Sequence, residues 1–243
     1  MSNYLYIPEQ ISKSIYEISS PIFFTSDLFC YGLDLSKTHH LLIDQQLEHP
    51  LKIAQARVKR KNEYLCGRVL AQAVLNHHFG LDQPITSMYE PLPIWPSHVL
   101  GSISHSQNNL IVALSSHAVY LGIDIEHWVT SEFAQESAHL ILTPSEFDLW
   151  KSKAAEFFDF AHYVSLIFSV KESLYKAVYP TAKQYIDFLE ASIVNINFEN
   201  QTLTLTFLPE IQQRYQLLER YDGGWVVEQD HIMTWVFQAR IFA

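Results

Sequence analysis

Along this 243-residue chain the spacing of apolar positions changes several times, and each change marks a different element. Residues 51–79 hold no proline and, apart from Gly67, no glycine. Leu65, Val69, Ala73 and the stretch 75–78 recur at helical spacing, which predicts one long helix ended by Gly80. Residues 88–96 (MYEPLPIWP) are too rich in proline for regular structure and predict an extended connector. A period of two then takes over. Residues 100–105 and 110–114 read as strands joined through Gln107, Asn108 and Asn109, and a third strand, 119–126, completes a meander. Thr143-Pro144-Ser145-Glu146 is a capping box with proline at the first helical position, so a helix starts there. Another is predicted over 160–178, with Leu166, Ile167, Val170, Leu174 and Ala177 as its apolar stripe and Pro180 beyond its end. The tail returns to strands at 192–198, 202–207, 215–221, 225–228 and 233–241, with turns at Glu199-Asn200 and Asp222-Gly223-Gly224.

The order helix, meander, helices, meander is an α+β pattern stated twice, once in 1–120 and once in 121–243, without a detectable sequence repeat. Composition narrows the class. With 48% hydrophobic residues and only 7 Gly and 10 Pro, the chain is neither disordered nor collagen-like. It lacks any run of about eighteen apolar residues and has no basic-then-apolar N-terminal stretch, so neither a membrane span nor a secretory signal is expected, and the expected location is cytoplasmic. Cys30 and Cys66 are then expected as free thiols, with no disulfide and no zinc cluster. A formal charge of -10 argues against a nucleic-acid or anionic-membrane binder, which needs a dominating positive field.

Within that acidic background, Lys52, Arg57, Lys59, Arg60, Lys61 and Arg68 gather 6 of the 16 basic residues into 17 positions of the first helix. Such a cluster is either a solvated face or a place where something anionic binds.

Three further blocks carry candidate chemistry. In Gly122-Ile123-Asp124-Ile125-Glu126 the alternation points Ile123 and Ile125 into a core and projects Asp124 and Glu126 from the other face, roughly 7 Å apart. Two such carboxylates suit Mg²⁺, and they equally suit the exposed face of an antiparallel strand. In Lys171-Glu172-Ser173-Leu174-Tyr175-Lys176, Glu172 and Lys176 stand one helical turn apart, which fits a surface ion pair or a carboxylate and a cation aimed at one phosphorylated ligand. Gly101-Ser102-Ile103-Ser104-His105-Ser106 places hydroxyls and an imidazole at a strand end, where a histidine is ordinarily structural.

"GSISHS", then "LGIDIE" beginning 20 residues after Gly101, then "LIFSVKESLYKA", together resemble the signature segments of 4′-phosphopantetheinyl transferases of the surfactin-type class. The likeness is nearest to the siderophore-synthesis members. "KRKNEYLCGRVLA" and "PIWP" stand where that subgroup has its basic helix and Trp-Pro connector. The resemblance runs from Arg57 to Val178. It implies a pseudo-twofold α+β fold of two similar halves with the active site between them, in a monomer, because the half-size relatives build the same cleft between subunits. It implies transfer of the phosphopantetheine arm of coenzyme A to a serine of an apo carrier protein or domain, with release of adenosine 3′,5′-bisphosphate. By position, Asp124, Glu126 and Glu172 match the Mg²⁺ ligands, and Lys171 and Lys176 the phosphate contacts. His105 matches a coenzyme A contact near the 3′-phosphate, Ser104 and Asp124 are expected as further coenzyme A contacts, and Arg60, Lys61 and Arg68 match the basic helix. Glu172, or a metal-bound water that it orients, would take the proton of the carrier serine. Where the subgroup carries a basic residue two positions before its Pro-x-Trp-Pro connector, this chain has Pro91 after Glu90, so that loop lacks the cation. A different Mg²⁺-dependent phosphoryl or nucleotidyl transferase would use the same carboxylates and would turn over nucleoside triphosphates instead. A catalytically silent binding module is disfavoured because all three candidate ligands are present.

Overall fold

The computed structural model describes residues 9–18, 28–38, 51–83, 85 and 92–240. The chain divides into two compact units, Met1–His117 and Ala118–Ala243, with the boundary three residues before the one read from the sequence. The first part of the proline-rich connector, including Glu90 and Pro91, lies outside the described residues.

In the first unit, α1 (Glu9–Ser12), β1 (Ile15–Glu17), β2 (Leu28–Asp34), α2 (Leu51–Ala54), α3 (Val58–Phe79), β3 (Leu100–Ser106) and β4 (Asn109–Ser115) follow in order. The strands form one antiparallel sheet, β1-β2-β4-β3. Helix α3 ends at Gly80, whose backbone is left-handed (φ 64°) and whose N–H donates to the Asn76 carbonyl at 3.0 Å. Its face of Leu65, Val69, Leu70 and Leu75 packs with Leu33 of β2 and with Leu110, Val112 and Leu114 of β4, all of them buried. Strand β2 was absent from the sequence reading, and it overturns the first meander. Its pairing with β4 takes one edge of that strand while β3 takes the other, so no third strand can join there.

The strand read as the third of that meander opens the second unit instead. The unit comprises β5 (Ala118–His127), α4 (Ser131–Ile141), α5 (Pro144–Ser152), α6 (Phe160–Ala182), β6 (Ala191–Asn197), β7 (Thr202–Phe207), α7 (Pro209–Tyr215), β8 (Tyr221–Val227) and β9 (His231–Ala239). Its sheet runs β5-β9-β8-β7-β6, again antiparallel. Strand β5 pairs with β9, more than a hundred residues later, placing Asp124 opposite Thr234 and Glu126 opposite Ile232. The capping box forms as expected, with the Thr143 N–H donating to Glu146 Oε2 at 2.8 Å. The apolar stripe of α6 is wholly buried against Leu203, Leu205, Phe207, Tyr221 and Trp225.

Two local expectations fail in the tail. The strand expected over 215–221 is absent: Pro209 starts the short helix α7 and Gln216 caps it in left-handed backbone. The expected Asp-Gly-Gly turn lies inside β8, and the turn into β9 comes at residues 228–230, closed by the Glu228 N–H on the His231 carbonyl at 2.9 Å. At Gly224 a Cβ would strike the indole of Trp235, so this glycine makes room for a ring. Helix α6 also runs on through Pro180 to Ala182, because a proline in the last turn costs only one backbone hydrogen bond, and Lys183 closes it.

Candidate active site

In the second unit the site is built where α6 crosses β5. Gly122, Asp124 and Glu126 share one face of β5, and a Cβ at Gly122 would overlap the Ser173 carbonyl oxygen and lie 2.7 Å from the Ala177 nitrogen. The missing side chain thus lets the helix backbone settle onto the strand. Asp124, two residues on, is therefore buried at 2% exposure and does not stand on an open face as the alternation suggested, while Glu126 is half-buried. Asp124 Oδ1 accepts from Lys176 Nζ at 2.6 Å and its Oδ2 from the Ser169 hydroxyl at 2.8 Å. Glu172, one turn before Lys176, is half-buried. Burial pushes its carboxyl pKa up and the charge of Asp124 adds to this, against a downward pull from Lys176. A hollow beside it is lined by Glu172, Tyr175, Tyr185, Phe188 and Phe207.

Lys171 corrects the sequence reading. Two residues along a helix turn through about 200°, so it points away from the face that carries Ser169 and Ser173. Its Nζ donates to Glu146 Oε2 at 2.7 Å and to the carbonyls of Ile141 and Phe188, both at 2.9 Å, with the side chain 1% exposed. All three protons are spent inside the unit, so the expected phosphate contact from Lys171 is withdrawn. Its partner Glu146 is fully buried and also accepts from the Ile193 N–H at 3.0 Å.

The candidate ligands Asp124, Glu126 and Glu172 would offer hard carboxylate oxygen, the chemistry Mg²⁺ takes. Among the described residues, however, no group of three or more His, Cys, Asp or Glu side chains is gathered to hold a metal ion.

In the first unit, α3 and β3 bring Arg60 and His105 together, the guanidinium donating to His105 Nε2. Glu63, absent from the sequence reading, lies 3.5 Å from Arg60 Nη1, 3.7 Å from His105 Nε2 and 3.9 Å from Lys59 Nζ. Its spacing of three and four residues from Arg60 and Lys59 was the available signal. Arg68 is buried with its guanidinium 4.5 Å over the Tyr64 ring, and burial lowers its pKa. Lys61 is half-buried on α3, and Ser104 is buried in β3 opposite Ile111. Cys30 and Cys66 are free and buried, with the Cys30 thiol pushed up to about 12 by burial.

Residues 47–115 match the 4′-phosphopantetheinyl transferase N-terminal domain, and residues 120–236 match the 4′-phosphopantetheinyl transferase superfamily. The chain is 31% identical over 200 residues to the 4′-phosphopantetheinyl transferase Svp of Streptomyces mobaraensis, spanning 80% of this chain and 77% of that one. It is 29% identical over 198 residues to the 4′-phosphopantetheinyl transferase PptT of Mycobacterium tuberculosis, spanning 77% and 82% of the two chains. Over 131 residues, 54% of this chain and 61% of the other, it is 33% identical to enterobactin synthase component D of Escherichia coli (strain K12). The matched stretches contain α3, β3, β5 from residue 120 on, and α6, and with them Arg60, Lys61, Arg68, Ser104, His105, Asp124, Glu126, Lys171, Glu172 and Lys176, and the chain belongs to the 4′-phosphopantetheinyl transferase family.

Proposed function

We propose that this transferase takes the phosphopantetheine arm from coenzyme A in a Mg²⁺-dependent reaction, passes it to a serine of an apo carrier protein or domain, and releases adenosine 3′,5′-bisphosphate. Siderophore synthesis is the proposed pathway, supported by the likeness to enterobactin synthase component D. The observation that carries the reading is the arrangement on α6 and β5: a buried Asp124 holding Lys176, with Glu172 one turn away and its carboxyl pKa raised.

Serine is a poor nucleophile until its proton leaves. A carboxylate whose pKa is raised toward neutrality is a better acceptor for that proton, so Glu172 is the candidate base. The serine oxygen forms a bond to the phosphorus of the arm, the bridging pyrophosphate bond breaks, and the leaving bisphosphate carries away the electron pair. Lys176, with a side chain 26% exposed, can turn its ammonium from Asp124 to the phosphate where that charge grows. Asp124, Glu172 and, as a third ligand, Glu126 are the residues proposed to hold Mg²⁺. When bound, it supplies positive charge to the pyrophosphate oxygens. Arg60 and His105 are proposed to receive the 3′-phosphate, with Ser104, Lys61 and Arg68 as further coenzyme A contacts. Both units belong to one chain, which supports action as a monomer. No helix among the described residues is long and apolar enough to cross a membrane, and the proposed place of action is the cytoplasm.

Incubation with coenzyme A, Mg²⁺ and a panel of apo carriers, read by intact mass, tests this directly. The expected result is a gain of one phosphopantetheine arm, fastest on carriers from siderophore assembly. Turnover of nucleoside triphosphates with no mass gained by any carrier would replace this reading with the other phosphoryl transferase.

A further inference from the structure

Three hydroxyls lie buried between α6 and the β5–β9 pair: Ser169, Ser173 and Thr234, each at 0% exposure. Ser169 Oγ lies 2.8 Å from Asp124 Oδ2 and 2.9 Å from Thr234 Oγ1, which in turn lies 2.7 Å from Ser173 Oγ. A hydroxyl has one proton to give. Asp124, ion-paired with Lys176, can only accept, so Ser169 donates to it. With that proton spent, Ser169 can only accept from Thr234, and Thr234 can then only accept from Ser173. The charge at one end sets the direction of every bond in the chain.

We propose that Thr234 is a positioning residue for phosphopantetheine transfer: it is the middle link of a one-way relay, Ser173 to Thr234 to Ser169 to Asp124, that fixes the plane of the Asp124 carboxylate. The inference rests on the reading that Asp124 belongs to the active site. Dipoles aligned head to tail strengthen one another and point their positive ends at the carboxylate. Oδ2 is thereby held, and Oδ1 stays aimed at the cation it faces, the Lys176 ammonium in this structure. Without the Thr234 hydroxyl, the Ser169 oxygen loses the bond it accepts, and the hydrogen bond it gives to Asp124 loses the support of an aligned neighbour. Oδ2 of Asp124 would then be held less firmly, while Oδ1 keeps Lys176. Thr234 reaches this position only through the register that sets it opposite Asp124.

The test compares Thr234→Val, which keeps the shape and removes the hydroxyl, with Thr234→Ser, which keeps the hydroxyl, and with Asp124→Asn as a control on the site itself. Thermal midpoint, kcat, and KM for coenzyme A and for carrier are measured for each. Thr234→Val is expected to lower kcat roughly 10-fold or more with KM for the carrier unchanged, and Thr234→Ser to restore it. Should Thr234→Val fail to fold, Ser169→Ala cuts the same relay at its last link and must show the same fall in kcat. If Asp124→Asn is inactive while Thr234→Val and Ser169→Ala match the parent, the relay has no part in transfer and the proposal is overturned. It is likewise overturned if Thr234→Ser is as impaired as Thr234→Val, because methyl packing would then be the cause. An active Asp124→Asn would remove Asp124 from the site, and this inference with it.

Discussion

Asp124 and Lys176 are joined at 2.6 Å, with the carboxylate side chain 3% exposed and the lysine 26% exposed. The pair is thus lopsided: the lysine can leave for water or a ligand, and the aspartate cannot. Lys176→Met should strand a buried charge and lower stability by about 1–3 kcal/mol, while lowering transfer by on the order of 100-fold or more. Thermal unfolding and the mass assay measure the two separately. Transfer close to the parent rate would leave Lys176 a structural partner only.

Glu172→Gln should separate stability from activity in the opposite direction. The folded pKa of Glu172 is raised above the ordinary 4.5, so the ionised form weakens the fold at neutral pH, and a neutral amide removes that cost. The expected variant melts at or above the parent midpoint and transfers at least ~100-fold more slowly. Activity within about tenfold of the parent, a barrier change of only ~1.4 kcal/mol, would reduce Glu172 to one half of a helix ion pair.

Arg60→Ala and His105→Ala are expected to weaken binding of coenzyme A more than that of dephospho-coenzyme A, since the two ligands differ only in the phosphate these residues are proposed to meet. Calorimetry with both ligands decides it. Equal losses would show that neither side chain reads that group.

At the far end of α3, the Tyr31 hydroxyl and His78 Nε2 share a hydrogen bond of 2.7 Å, and the His78 ring stacks on Phe29 at 3.8 Å. Burial lowers the His78 pKa from its ordinary 6.5, with His77 adding to this and Glu17 opposing it. A histidine whose folded pKa is lowered binds its proton more readily in the unfolded chain, so its contribution to stability is complete above pH 6.5 and declines as the pH falls from there toward the lowered value. The thermal midpoint of the parent should therefore drop between pH 7.5 and pH 5.5 by more than that of His78→Phe, which cannot be protonated; parallel curves would dismiss the effect.

Gly122→Ala inserts a methyl against the Ser173 carbonyl, and either α6 or β5 has to move. The expected cost is about 1–3 kcal/mol, together with a loss of transfer larger than the unfolded fraction explains, because Asp124 moves with the strand. An alanine variant with parent stability and rate would show that helix and strand have slack there.

Local signals in the sequence were legible wherever the physics is local. The Gly80 stop, the Thr143–Glu146 box and the α6 stripe each depend on residues within a few positions of one another, and all three stand in the structure. What was not legible depends on distant partners. Nothing near residue 124 shows that its neighbour across the sheet is Thr234, and nothing near residue 110 shows that β2 closes the second edge of β4. Lys171 was misread for the same reason, since its partner Glu146 lies 25 residues earlier on another helix. The Gly223-Gly224 pair misled in a different way: the same residues serve a tight turn or a strand lying under a large ring, and only the position of Trp235 separates the two.

Glu146 accepts from the backbone of Thr143, the backbone of Ile193 and the ammonium of Lys171, all in a dry interior. Losing one partner of such an ion pair costs about 3–5 kcal/mol, because the other charge is left buried, whereas replacing both together can be nearly neutral. E146Q with K171M removes both charges and keeps one side-chain acceptor for a backbone N–H, at the cost of the bonds that Lys171 gives to the Ile141 and Phe188 carbonyls. Either change alone passes through a chain that folds poorly. A lysine next to Glu172 therefore has a structural reason to stand there that is independent of the chemistry of transfer.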